Sequence, residues 1–127
     1  MKNGTLDRLV LEAETDSAVL AVVLFGSAAR GQAGAGSDLD VCLVLSPTGG
    51  ADALERRLHY LSRHDVDLQV FQSLPLAMRS RILKEGRVLF VRDEDALYTL
   101  ARRTIAAFED FRHIHKMYLD AVLHAGP

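Results

Sequence analysis

Apolar residues along the chain keep two rhythms, one of helices and one of strands. Leu6, Leu9, Val10 and Ala13 recur at helical spacing and predict a helix over about 5–14, with Thr5 able to cap its start. The run from Val19 to Phe25 is apolar throughout and stops at Gly26-Ser27, the pattern of a buried strand ending in a turn whose backbone a ligand can approach closely. A second apolar run ends at Leu45, opens with Asp38-Leu39-Asp40 and closes at the breaker cluster Ser46-Pro47-Thr48-Gly49-Gly50. Leu54, Leu58 and Leu61 form the stripe of a helix over about 52–63, with Glu55, Arg56, Arg57 and Arg63 on its solvated face. Val66, Leu68 and Val70 then alternate with Asp65, Asp67 and Gln69, as in a third strand with one wet face.

Leu74-Pro75 opens a helix over about 76–84, which Gly86 is placed to end, and Arg87 to Val91 reads as a fourth strand. From Glu94 to His124 the chain has neither Pro nor Gly and is rich in apolar residues. A continuous helix of that length spans about 45 Å at ~1.5 Å per residue, longer than a small domain can cover. Part of it must project or bend back, and its large apolar groups call for a partner or a second copy of the chain. His113, His115 and Lys116 read as its polar flank. Strands alternating with helices predict an α+β, two-layer α/β fold: a small mixed sheet with helices mainly on one face.

Two aspartates at alternate positions opening a strand need a reason, because aspartate is a poor strand residue. Side chains at i and i+2 share a face about 6.5–7 Å apart along the strand, so the carboxylates of Asp38 and Asp40 point the same way. At roughly 5 Å and an effective dielectric near 20 their repulsion is on the order of 3 kcal/mol. Solvent, protonation or a cation must relieve it, and hard divalent cations that hold carboxylate and phosphate oxygens together fit best. A Gly-Ser turn offering backbone N–H groups beside such a pair is a nucleotide site in physical terms. A short helical segment around Ala28 would aim its N-terminal N–H groups at a phosphate, with Arg30 nearby. Asp65 or Asp67, on the wet face of the third strand, makes a third carboxylate available.

Composition narrows the field. The 127 residues suit one domain, and 49% apolar content, 25% charged residues and a net charge of −2 describe a globular protein without the positive field of a nucleic-acid binder. Direct nucleic-acid binding is therefore not expected. No apolar run reaches the ~18–20 residues a bilayer requires, and residues 1–16 lack the apolar core of a signal peptide, so a cytoplasmic location is expected. Cys42 is the only cysteine and lies inside an apolar strand, as a small buried hydrophobe would. His59 and His64, five residues apart, do not share a helix face and are not read as metal ligands.

The spacing Gly26-Ser27, ten residues, Asp38-x-Asp40 resembles the signature of the polymerase-β-like nucleotidyltransferase superfamily. Phe25-Gly26-Ser27-Ala28-Ala29-Arg30-Gly31 with Ser37-Asp38-Leu39-Asp40 is similar to its small MNT-domain branch, and the whole chain resembles the MNT-type antitoxins of two-component toxin–antitoxin modules. The resemblance implies a single minimal nucleotidyltransferase domain over 1–127, in which Asp38, Asp40 and Asp67 bind two Mg²⁺ ions. Gly26, Ser27 and Arg30 would hold the triphosphate of ATP. The local pattern Val66-Asp67-Leu68 matches the superfamily's third acidic position better than Asp65 does. The implied reaction is transfer of AMP to a tyrosine of a HEPN-type ribonuclease toxin. An antitoxin that acts by binding alone and a small-molecule adenylyltransferase assembled as a dimer stand as alternatives.

Overall fold

The computed structural model describes residues 2–26, 29, 31, 39–47 and 52–124. Four strands make one mixed sheet. In chain order the elements are α1 (Lys2–Thr15), β1 (Val19–Phe25), β2 (Asp40–Leu45), α2 (Ala53–Arg63), β3 (Asp67–Val70), a 3-10 turn (Phe71–Ser73), α3 (Leu76–Glu85), β4 (Arg87–Val91) and α4 (Glu94–Leu123). The strand order is β3-β2-β1-β4. β1 runs antiparallel to both β2 and β4, whereas β2 and β3 are parallel and joined across α2. A parallel neighbour requires such a crossover, which is why the α2 stripe falls between these two strands.

β1 and β2 carry no polar alternation because both their faces are buried. Val22, Leu24, Val41, Leu43, Leu68 and Val70 meet Leu9 and Ala13 of α1 and Tyr60 of α2 on one face. Leu20, Ala21, Val23, Cys42 and Val44 meet Phe71, Ile82 of α3, and Leu97 and Leu100 of α4 on the other. The α+β class and mixed sheet are as expected, but helices cover both faces rather than mainly one. Central strands apolar on both sides leave two faces to shield from water. Cys42 is fully buried, and burial pushes its thiol up to about 12, so it packs as an inert hydrophobe.

The helix ends follow the sequence except at the N-terminus, where α1 already runs at Lys2 and Thr5 lies inside it. Asp52 and Asp93 cap α2 and α4 by accepting from the backbone N–H of Glu55 and Ala96. Gly86 ends α3 as expected, with φ −74°. Glycine is needed there for space, since a Cβ would collide with the Ile82 carbonyl and Val23 Cγ1. Arg92 holds the end of α1 by donating to the carbonyls of Ala13, Glu14, Asp16 and Val19.

α1 and α2 are tied by one carboxylate. Glu12 accepts from Arg63 Nε at 2.8 Å and lies 2.6 Å from His59 Nε2 and 2.9 Å from His64 Nε2. His59 precedes the last turn of α2 and His64 ends it, so the two imidazoles converge on Glu12 although they do not share a helix face. Nearby, the Tyr60 hydroxyl donates to Asp16 Oδ2 at 2.9 Å, and Arg56 NH1 lies 2.9 Å from the same oxygen. Burial and the neighbouring Asp16 carboxylate push the Tyr60 hydroxyl pKa up, so it stays a donor.

Burial alone would raise the Glu12 pKa, but hydrogen bonds from Arg63, His64 and His59 outweigh it and hold the group down to about 2 from 4.5. A depressed folded pKa stabilises the fold fully above the unfolded value of about 4.5. That stabilisation is lost as pH falls toward 2. Glu12→Gln is expected to lower unfolding free energy by about 1–3 kcal/mol at pH 7. Urea titrations of both proteins at pH 7 and pH 3 check this, and the gap must narrow at pH 3.

Candidate functional site

The two carboxylates that the structure describes meet at one end of the sheet because three strand ends meet there. Asp40 is the first residue of β2 and pairs across β1 with Phe25, the last residue of that strand. On its other side Asp40 is the Cα partner of Asp67, the first residue of β3. Paired residues of adjacent strands share a face, and strands lie about 4.8 Å apart, so Asp40 and Asp67 stand side by side. The backbone N–H of Asp67 donates to the Leu39 carbonyl at 2.8 Å, extending the ladder to the residue before Asp40. Asp40 is half-buried and Asp67 exposed. Asp65 lies before β3 begins and outside this register.

Both side chains are on the face of Cys42 and Val44, the face that α3 and α4 cover. Gly26 completes the group. Its φ is +74°, a conformation that side chains other than glycine rarely adopt, and a Cβ there would run into Asp40 Oδ2. The turn after β1 therefore passes directly against the Asp40 carboxylate, and only glycine permits that approach. Ser27, Arg30, Asp38 and the segment around Ala28 lie outside the described residues.

An open cavity of about 160 Å³ adjoins Gly26, lined by Phe25, Met78, Arg81, Ile82 and Glu85 as well. Arg81 and Glu85, not singled out in the sequence, reach this place because α3 packs across the end of β1. Helical i, i+4 spacing was the available signal for their pairing, which the structure bears out with Arg81 Nε 2.7 Å from Glu85 Oε2.

The donor set suits a hard divalent cation, since carboxylate oxygens from adjacent strands open to solvent are the ligands Mg²⁺ takes while keeping waters and phosphate oxygens. Among the described residues no three His, Cys, Asp or Glu side chains form a metal-binding group, so a closed protein cage of the structural-zinc kind has no support there.

A strand ending in a tight glycine turn against the first acidic residue of a neighbouring strand, with a second acid in parallel register, is matched by one family profile. Residues 8–95 fit the family described as Polymerase beta, Nucleotidyltransferase. The chain belongs to that nucleotidyltransferase family. A candidate protein adenylyltransferase of Methanocaldococcus jannaschii is 33% identical over 76 residues, covering 58% of this chain. The match spans 57% of that relative's own length.

Solved structures extend the likeness of fold. A chain of a toxin–antitoxin structure with AMP-PNP superposes with a TM-score of 0.68 at 20% identity, covering 97% of this chain and 99% of its own. A complex of tri-AMPylated Shewanella oneidensis HEPN toxin with MNT antitoxin gives 0.65 at 18% identity, with 97% and 99% coverage. A candidate nucleotidyltransferase of Sulfolobus solfataricus gives 0.51 at 25% identity, covering 70% of this chain and 79% of its own. The first two span nearly the full chain, α4 included, and at their identities they speak for the fold.

Gly26→Ala tests the geometry directly. Moving a residue with φ +74° onto an L side chain and displacing the Asp40 carboxylate is expected to cost about 1–3 kcal/mol of stability. Nucleotidyl transfer should fall at least ~10²-fold, because a reacting group shifted by about 1 Å loses that much. Chemical denaturation and a transfer assay on one preparation check both.

Proposed function

We propose that this nucleotidyltransferase transfers AMP from ATP to a hydroxyl acceptor, and that the acceptor is a tyrosine of a HEPN-type toxin partner. The observation that carries the chemistry is the register of Asp40 beside Asp67 with Gly26 pressed against Asp40. Asp38, two positions before Asp40 in the sequence, is the remaining acid of this reading. Support for the acceptor comes from the relatives: one is named a candidate protein adenylyltransferase, and a full-length structural match holds an AMPylated HEPN toxin.

In this reading Asp38, Asp40 and Asp67 hold Mg²⁺, and Gly26 and Ser27 offer backbone N–H groups to the triphosphate, with Arg30 as a further cation. Mg²⁺ held there would supply charge neutralisation for the phosphoryl group. Asp67, exposed at the outer end of the carboxylate row, lies where an incoming hydroxyl arrives and favours loss of its proton to solvent. A bond forms between the acceptor oxygen and the α-phosphorus, the bond from that phosphorus to the bridging oxygen breaks, and pyrophosphate leaves. Asp40 is shielded by Gly26 and positions the nucleotide rather than meeting the acceptor.

The test is transfer of α-labelled AMP from ATP and Mg²⁺ to the cognate partner, beside Asp40→Asn and Asp67→Asn. Each variant is expected to lose at least ~10³-fold in rate, as removal of charge-stabilising groups does, while still binding the partner. Label transferred at an unchanged rate by either variant would sink the mechanism. No transfer by the wild type, with intact partner binding, would leave an antitoxin that works by binding alone.

Partner binding draws support from α4. Its 30 residues form one unbroken helix, and from Glu109 onward every described side chain is exposed. It projects and does not bend back. Phe111, Ile114, Tyr118 and Val122 continue at i+3 and i+4 spacing along it, and Tyr118 is 65% exposed. An apolar stripe of that size facing water marks an interaction surface. Ile114→Glu with Tyr118→Glu is expected to weaken partner association at least ~100-fold and shift the melting temperature by less than about 3 °C. Titration calorimetry and thermal melts measure the two effects.

A further inference from the structure

Along the carboxylate face the groups fall in a fixed order: Asp67 on β3, Asp40 on β2, Gly26 at the end of β1, then the cavity under α3. An in-line displacement has the entering and leaving oxygens on opposite sides of phosphorus. With the acceptor at the Asp67 end, pyrophosphate leaves over Gly26 and toward that cavity. This step rests on the nucleotidyl-transfer reading given above.

We propose that Arg81 is a triphosphate-binding residue, which holds the terminal phosphates of the nucleotide in the cavity beside Gly26. The open cavity of about 160 Å³ beside Gly26 offers room for part of a nucleotide. Arg81 lines it together with Glu85, Phe25, Met78 and Ile82. Glu85 takes only the Nε–H of the guanidinium, at 2.7 Å. Arginine has five N–H donors in a rigid fork, so both terminal nitrogens stay available for phosphate oxygens, and the Glu85 contact orients them.

Other basic groups around α3 are committed elsewhere. Arg79 donates to the Leu74 carbonyl and lies over the Phe71 ring. Lys84 lies over the Phe108 ring. Arg87, although at the same end of the sheet on β4, lines the opposite face with Leu6, Val10 and Glu14 of α1. Among the described residues Arg81 is therefore the cation on the carboxylate face next to Gly26. A triphosphate bearing several negative charges, close to carboxylates and to Glu85, needs such a cation at its far end.

The test compares two probes, ATP and inorganic tripolyphosphate, each titrated calorimetrically with Mg²⁺ into wild type, Arg81→Ala, Arg81→Lys and Glu85→Gln. Arg81 is exposed, and its loss should leave the melting temperature within a few degrees. Arg81→Ala is expected to weaken both probes alike, about tenfold, with partial recovery in Arg81→Lys and binding unchanged or tighter in Glu85→Gln. Weakening of ATP with tripolyphosphate unaffected would place Arg81 against the base and overturn the proposal, as would no effect on either. Wild-type protein that binds neither probe would overturn the nucleotidyl-transfer reading itself, and Arg81 with it.

Discussion

Everything at the candidate site depends on the pairing register of β2. Its two neighbours are fixed on opposite edges: Phe25 opposes Asp40 in the antiparallel ladder, and Asp67 opposes it in the parallel one. A slip of one residue would turn Asp40 into the α1 layer and Val41 onto the carboxylate face. Burial forbids that slip, because Val41, Leu43 and Leu45 fill one core while Cys42 and Val44 fill the other. The far end of the strand is pinned by Gln72, whose side-chain amide accepts from the Leu45 N–H at 3.1 Å and donates to the Leu45 carbonyl at 2.8 Å. A side chain thus imitates one more rung of the ladder after β3 has ended, and positioning of the carboxylates is tied to packing at the far end of β2, about 17 Å away at ~3.3 Å per residue.

What the sequence made legible follows from how local each signal is. The alternation of Val66, Leu68 and Val70 identified β3 and put Asp67 on the opposite face from them, where it stands beside Asp40. Helices lie on both faces because Val19 to Phe25 and Val41 to Leu45 contain no polar residue, and strands of that kind are shielded on both sides. The clustering of His59, Arg63 and His64 on Glu12 could not be read, because these partners lie 47 to 52 residues from Glu12 in sequence. Arg92 is similar, reaching carbonyls 73 to 79 residues away. Backbone acceptors carry no residue-type signal for such a clamp.

α4 shows the limit of a hydrophobic pattern from the other side. Leu97 and Leu100 pack against the sheet core and Thr104 is buried, and the same stripe continues through Phe111, Ile114 and Tyr118, which stay exposed among the described residues. Periodicity reports that a face is to be covered and is silent on what covers it. The missing breakers decide between projecting and folding back, because a return would need a break, and the helix has neither Pro nor Gly to make one.

Paired carboxylates are a burden on a small fold, and their placement limits it. Asp40 and Asp67 both occupy the first position of a strand, where the ladder is beginning and water reaches the side chains. The same pair in the middle of β2 and β3 would lie under α3 or α4, where repulsion on the order of 3 kcal/mol at high effective dielectric grows several-fold and desolvation adds to it. At the strand ends water and a cation can reach the carboxylates, while the apolar run behind each one carries the stability. Gly26 lets the β1 backbone close over one side of Asp40 without a side chain, narrowing the approach to that carboxylate to ligands that can lie flat on a turn. A phosphate chain, thin and studded with acceptors for backbone N–H groups, satisfies that shape better than a bulky acceptor does. Among the described residues Asp67 is the exposed member of the pair, open to a second molecule.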